Sequence, residues 1–389
     1  MNTTKKKLFG FHIKKLINHI TILKKLISFD TTSNKSNLDC VLYIQNLFDK
    51  NTNFKIIKIY DKSKKKCSIL IKAKKNIKNG LLFAGHIDTV PTLGQKWLSN
   101  PYKAKIKNNK IYGRGSSDMK GFLSVILSNM LNTISDFPIC LSITHDEETG
   151  CDGIYNLMQY CKRKKILLPD KCIVGEPTML KMVSANKGVE IIETSVETIL
   201  ELGHSSKYNQ KFNTITIGAN LINFLQSIQN KIPKKNILNC SPNNSSIHIG
   251  IINGGTSHNI IPQKTSFRWE LRYVKDDIKF VKNQFFKYQK KLYKNFIKIK
   301  NIKIYNKILF AVPALDEKNQ KKIFMLMKKL KITKKFHVPF GTEAGIFQKN
   351  GFSTIIMGPG SIEQAHKPNE FISINQLNKF DILIKKMIR

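Results

Sequence analysis

Four short apolar runs, each ending in polar or glycine residues, punctuate the chain: LLFAGHID (81–88), PICLSITHDEE (138–148), KCIVGEPT (171–178) and STIIMGPG (353–360). Their apolar character is continuous and does not alternate, so each predicts a strand buried on both faces, as parallel strands in layered α/β folds are. Segments with helical spacing separate them, GFLSVILSNMLNTI (121–134) being the clearest. In such a fold the ligand crevice lies beyond the carboxyl ends of the strands, which is where the His, Asp and Glu residues of these runs fall.

From about Val183 the pattern changes to true alternation, as in SSIHIGIING (245–254) and in Phe267, Trp269, Leu271 and Tyr273 interleaved with Arg268, Glu270 and Arg272. These strands have one wet face. Two amphipathic helices accompany them, TITIGANLINFLQSIQ (214–229) and DDIKFVKNQFFKYQKKLYKNF (276–296), the second opened by Asp276 and Asp277 as caps. Around Val312 the first pattern resumes, with LDEKNQKKIFMLMKKL (315–330) as helix. The expected fold is therefore α/β: a mostly parallel central sheet built from 1–182 and 308–389, with an inserted α+β unit over 183–307. At 389 residues the chain exceeds what one core usually supports, so two units also suit its length.

Charge changes this picture less than its size suggests. The formal net charge is +40, which at face value points to nucleic acid or an acidic surface. Only Arg114, Arg163, Arg268, Arg272 and Arg389 are arginine, however, and the lysines are dispersed beside abundant Asn and Ile. Clustered arginine interleaved with aromatics would mark a nucleic-acid binder; dispersed lysine reads as biased composition, and no nucleic-acid partner is expected. If drift exchanged Arg for Lys wherever it could, the remaining arginines mark positions that need a two-point fork. Seven cysteines without a C-x-x-C pair suit reduced thiols in the cytoplasm. The first residues are basic but lack a signal-peptide core, and no run is long enough to span a membrane.

Several residues could carry chemistry. His86 and Asp88 are two apart at a strand end and could form a metal-binding imidazole with its carboxylate support, or an ordinary strand-end turn. Asp118 follows the glycine-rich GRGSS and precedes a helix, so capping and close approach to an ion both fit. Asp146, Glu147 and Glu148 end a strand, where like charges repel unless a cation or a raised pKa relieves them, though a solvated acidic turn is also open. Adjacent Glu147 and Glu148 point apart, which lets one bind metal while the other acts as general base. Glu176 ends a strand at Pro177, and His366 lies in a distant loop. Singly each has a bland explanation. Together they supply N and O donors for two ions sharing a carboxylate.

The motifs GHIDTVP, YGRGSSDMKG, HDEETG, VGEPT, GHSS, HNIIP and AHKPNE, in this order, resemble a known family, the dinuclear zinc amidohydrolases that include aminoacylases, desuccinylases and carboxypeptidases. The resemblance spans nearly the whole chain. It implies a zinc-peptidase-like catalytic domain with an inserted sandwich that serves as lid and dimerisation surface. It implies two Zn2+ per subunit, with Co2+ able to substitute: His86, Asp118 and Glu176 on one ion, and Asp118, Glu148 and His366 on the other. Asp88 would stand behind His86, and Glu147 would be the general base. His204 matches a histidine that steadies the oxyanion, often from the partner subunit, which implies a homodimer. Asn259 and Arg272 match positions that hold the substrate's carboxylate or acyl group; Arg272 could equally pair with Glu270 on its own strand.

One departure is Thr198, Ile199 and Leu200 before His204, where relatives carry smaller residues. FGTEAGIF (340–347) resembles the branch acting on acetylornithine, in which Glu343 could meet the substrate's cationic side chain. The expected substrate is a small N-acyl amino acid and the expected reaction is hydrolysis of N2-acetyl-L-ornithine to ornithine and acetate, a step of arginine biosynthesis. Desuccinylation of succinyl-diaminopimelate, another N-acyl-amino-acid or dipeptide hydrolysis on the same machinery, or a basic nucleic-acid-binding role are the alternatives.

Overall fold

The computed structural model describes residues 18–74, 77, 79–132, 137–198, 203–207, 213–234, 238–296 and 302–388. Its strands are β1 (Phe54–Tyr60), β2 (Cys67–Ala73), β3 (Leu81–His86), β4 (Lys105–Lys107), β5 (Lys110–Tyr112), β6 (Ile139–Thr144), β7 (Lys171–Pro177), β8 (Met182–Asn186), β9 (Gly188–Thr198), β10 (Ser246–Gly254), β11 (Lys264–Tyr273), β12 (Ile302–Val312), β13 (Lys335–Val338), β14 (Ser353–Gly358) and β15 (Phe371–Ser373). The helices are α1 (His19–Ile27), α2 (Leu38–Phe48), α3 (Gly121–Asn132), α4 (Asp152–Arg163), α5 (Thr214–Gln229), α6 (Asp277–Phe296), α7 (Lys321–Lys329), α8 (Ala344–Lys349) and α9 (Ile374–Met387).

An eight-stranded sheet runs in the order β1-β2-β6-β3-β7-β14-β8-β13. Its centre, β6-β3-β7-β14, consists of the four apolar runs and is parallel throughout. Alternate side chains explain why these runs are apolar without interruption. Leu81 and Phe83 of β3 enter a core shared with α1, α2, α3, α7 and α9, while Leu82 and Ala84 enter a second core with α4 and α8. Both faces are covered, so every residue of β3, β6 and β14 is buried. Fully burying each large apolar side chain contributes roughly 1.5–3 kcal/mol. The expected α/β architecture with a mostly parallel sheet is the observed one; the antiparallel β1-β2-β6 edge and a small β15-β5-β4 sheet add to it.

The second sheet, β10-β11-β9-β12, is antiparallel. Phe267, Trp269 and Leu271 pack with Ile217, Leu221 and Leu225 of α5 and Val281 and Phe285 of α6, and the alternate residues Arg268, Glu270 and Arg272 turn to the open face. Asn213 caps α5, its side chain accepting the amide of Thr216. Asp277 is the first residue of α6, and its carboxylate accepts the hydroxyl of Ser245. Sheet membership changes slightly later than the expected boundaries at 183 and 308. β8 is buried throughout and lies in the large sheet, whereas β12 carries the small sheet on to Val312. A strand as short as β8, buried on both faces, gives no alternation to mark it. Among the described residues no helix is long and apolar enough to cross a membrane.

Candidate active site

The carboxyl edge of the parallel strands gathers the acids and histidines. His86 ends β3 and Glu176 is the last residue but one of β7. Glu147 and Glu148 open a single helical turn after β6. Asp118 lies in the irregular turn Ser116–Lys120 that runs into α3, and its own backbone (φ −99°, ψ 83°) is not helical. That turn carries no side-chain cap, and the Asp118 carboxylate faces two imidazoles. His366 comes from the far end of the chain, in left-handed backbone (φ 64°), a conformation a non-glycine residue adopts only when its surroundings hold it.

Two overlapping ligand sets result. Ligand atoms of His86, Asp118 and Glu176 lie within 4.8 Å of one another, and so do those of Asp118, Glu148 and His366. Asp118 belongs to both: Oδ1 is 3.4 Å from His86 Nε2 and Oδ2 is 3.3 Å from His366 Nε2, which is also 3.0 Å from Glu148 Oε2. Asp118 Oδ1 is buried and makes no hydrogen bond.

The electrostatics mark a cluster short of positive charge. Burial lifts the Glu176 carboxyl to about 8, the charges of Asp118, Glu148 and Glu343 adding to the rise against His86. Enclosure also raises Glu147 well above the carboxylate range, against His86 and with Glu176, Glu148 and Glu343. Burial would depress His86, but Asp118, Glu147 and Asp88 outweigh it and raise the imidazole well above its usual value. Hydrogen bonds to Asp118 and Glu148 lift His366 to about 10. A buried, unbonded acceptor among N and O donors of this kind fits cations in both sets.

Asp88 stands beside His86, and its backbone and carboxylate divide the work. His86 Nδ1 bonds the Asp88 backbone carbonyl at 3.0 Å, while the side-chain oxygen is 3.7 Å away. The carboxylate accepts the amides of Glu147 and Glu148 and the hydroxyl of Ser33, so it fixes the turn bearing both glutamates. Glu343 does not face the cleft as a free acid. It is 1% exposed and accepts the Thr144 hydroxyl, with burial pushing it up to about 7.

A cleft of about 660 Å³ opens over Glu147, bounded on one side by the ligand sets and on the other by His248, Arg268, Glu270 and Arg272 of the small sheet. Arg272 lies on this wall and pairs at two points with Glu270, the second of the two partners the sequence left open. His204 and Asn259 are not on the cleft wall: His204 is exposed and bridges to Ile260, and the Asn259 side chain accepts the Ser257 hydroxyl. Of the departing residues before His204, Ile199 and Leu200 lie outside the described residues, as does the basic start of the chain.

Sequence reasoning missed Ser33, Gln95 and Glu370 behind the ligands and His248 on the cleft wall. Arg114 and Arg268 were marked only as surviving arginines, without a place in the site, and Glu370 sits inside the AHKPNE motif.

The model of peptidase family M20/M25/M40 matches residues 82–389. An acetylornithine deacetylase of Buchnera aphidicola is 31% identical over 97% of this chain and 98% of its own length. An M20 family metallo-carboxypeptidase from Sulfolobus solfataricus shares the fold (TM-score 0.68, 19% identity, 95% of this chain and 98% of that one). So does a dinuclear metal-binding peptidase of Bacillus subtilis (TM-score 0.64, 11% identity, 95% and 97%). With the match running from the first metal-site strand to the carboxyl end, the chain belongs to the peptidase family M20/M25/M40 and is a metal-dependent amidohydrolase.

Proposed function

We propose that the protein hydrolyses N2-acetyl-L-ornithine to L-ornithine and acetate in the cytoplasm, as a step of arginine biosynthesis. The catalytic part rests on one observation: Glu147 opens on the cleft beside two ligand sets that share Asp118. The choice of substrate rests on the full-length similarity to acetylornithine deacetylase. His86, Asp118 and Glu176 hold one ion and Asp118, Glu148 and His366 the other, both zinc, with cobalt able to substitute. When bound, the ions acidify water and offset charge developing on the carbonyl oxygen.

Glu147 supplies the proton traffic. It opens on the cleft beside both ligand sets, where a carboxylate can take a proton from the attacking water and return it to the departing amine. Asp88 keeps Glu147 aimed by holding its amide. Arg272 meets the substrate's carboxylate by exchanging it for Glu270, for which the guanidinium fork is suited. His204 and Asn259 belong, in this reading, to the cleft of a second subunit in a homodimer formed through the inserted unit, residues 183–307 in the sequence-based division.

Zinc content of the purified protein and acetate release from N-acetylornithine test the reading. About two zinc ions per chain and turnover faster than that of N-succinyl-diaminopimelate are expected. Faster desuccinylation overturns the substrate, and a protein without metal or amidase activity overturns the reaction.

A further inference from the structure

Behind the two ligand sets lies a buried charged pair that the reaction itself does not use. Glu370 is fully buried, and its carboxylate collects four donors. Oε1 accepts the amides of Ser117 (2.8 Å) and Asp118 (3.0 Å), and Oε2 accepts the amide of Gly115 (2.9 Å) and Arg114 Nη1 (3.0 Å). Three amides at the turn bearing Asp118 thus converge on a side chain from the loop bearing His366. Arg114, 1% exposed, completes the link from the other side. Its Nη1 also donates to the Lys367 carbonyl (3.3 Å) and its Nη2 to Gln95 Oε1 (2.5 Å). Gln95 Nε2 in turn donates to the carbonyl of His366 itself (2.9 Å), and the guanidinium lies 5.0 Å from the centre of the Trp97 ring.

The two ligand sets differ in how much they need this link. His86 and Glu176 belong to hydrogen-bonded neighbouring strands of the sheet and are buried, so the sheet alone fixes them. His366 stands in a loop in left-handed backbone with its side chain 55% exposed, and Glu148 stands in a single helical turn. The successive carbonyls of His366 and Lys367 are held by Gln95 and Arg114, which ties down the stretch of loop that carries the imidazole.

We infer that Gln95 and Arg114, anchored on Glu370, form a brace that sets His366 at ligand distance from Asp118, making Gln95 and Arg114 positioning residues chiefly for the ion held by Asp118, Glu148 and His366. The inference rests on the two-ion reading above. Buried partners of this kind, one step behind the ligands, tune metal affinity by about 10- to 100-fold. An Arg is required because its planar fork reaches Glu370 and Lys367 from one nitrogen and Gln95 from the other, a span a lysine ammonium lacks.

The test is zinc titration of the chelator-stripped full-length protein against a chromophoric chelator, in wild type, Gln95→Leu and Arg114→Lys, with melting temperatures alongside. Gln95 is only partly buried, so its replacement leaves the fold intact even if Arg114→Lys does not. Wild type binding two ions, with the weaker lost about 10- to 100-fold in Gln95→Leu and the tighter kept within about threefold, supports the brace. High zinc then restores activity. Two ions bound with unchanged affinity in Gln95→Leu, or both weakened together, overturns it, because a merely structural residue would not distinguish the sites. Wild type binding fewer than two ions removes the two-ion reading, and the inference with it.

Discussion

The two walls of the cleft handle charge in opposite ways. On the large-sheet wall, acids and histidines converge, carboxyls are pushed far from their ordinary values, and Asp118 Oδ1 is buried without a hydrogen bond. On the small-sheet wall the charges neutralise one another in place: Arg268 pairs with Glu193 and Arg272 with Glu270 across an open, solvated face. The acids of the first wall outnumber the two histidines that pair with them, so it is the wall that bound cations would complete. The second is complete by itself and can trade a partner for a ligand at low cost. In the proposed reading, chemistry therefore belongs to the first wall and recognition to the second.

The largest expected effect tests the first wall at its proton carrier. Glu147→Gln keeps the shape and loses the base, so kcat falls about 10²- to 10⁴-fold while both zinc ions stay bound. Metal lost along with activity would make Glu147 a ligand instead.

Next in size is the response of the metal-free protein to pH. Glu343 and Glu176 have ordinary values of 4.5 raised to about 7 and about 8 in the fold. The unfolded chain therefore sheds these protons first, and rising pH favours unfolding. Their stabilising effect is full below 4.5 and is lost as pH passes through about 7 and about 8. His366, raised from 6.5 to about 10, continues the loss in the same direction. Calorimetry of chelator-treated protein should show the melting temperature falling between pH 5 and pH 8, and zinc should flatten the trend by keeping the carboxylates ionised in the fold. The same slope with and without zinc would break the claim that this wall is completed by cations.

What the sequence made legible follows the same division. The four parallel strands stood out because double-sided burial leaves an unbroken apolar run, and their ends carried the histidines and acids. β11 stood out because Phe267, Trp269 and Leu271 alternate with charge. β4, β5, β13 and β15 are three or four residues long, too short for a period to register. The brace was invisible for another reason: Glu370 acts on backbone amides more than 250 residues away in the chain, and amides leave no mark in a sequence. Asp88 was half legible for a related cause. Spacing brings it beside His86, where the fold keeps it, but only the fold shows its carboxylate also taking the amides of Glu147 and Glu148.

The smaller effects belong to the second wall. Arg272→Lys keeps the charge but loses the two-point contact, which costs about 1–2 kcal/mol in kcat/KM, or roughly five- to thirty-fold, mainly through KM. Unchanged kinetics would show that its pairing with Glu270 is all it does. Arg268→Gln is the sharper control, since this residue lines the same cleft and pairs with a glutamate too, though at one point only. Its side chain is 49% exposed and Glu193 is 27% exposed, so solvent screens the pair and stability changes by less than about 1 kcal/mol. If Arg268 also stays out of substrate binding, KM moves by less than about twofold, within the range expected of exposed pairs. A KM rise for Arg268→Gln as large as that for Arg272→Lys would mean that the whole basic face, and not one arginine fork, attracts the anionic substrate. Adding salt would then erase both effects together, because long-range attraction is screened while a direct fork contact is not.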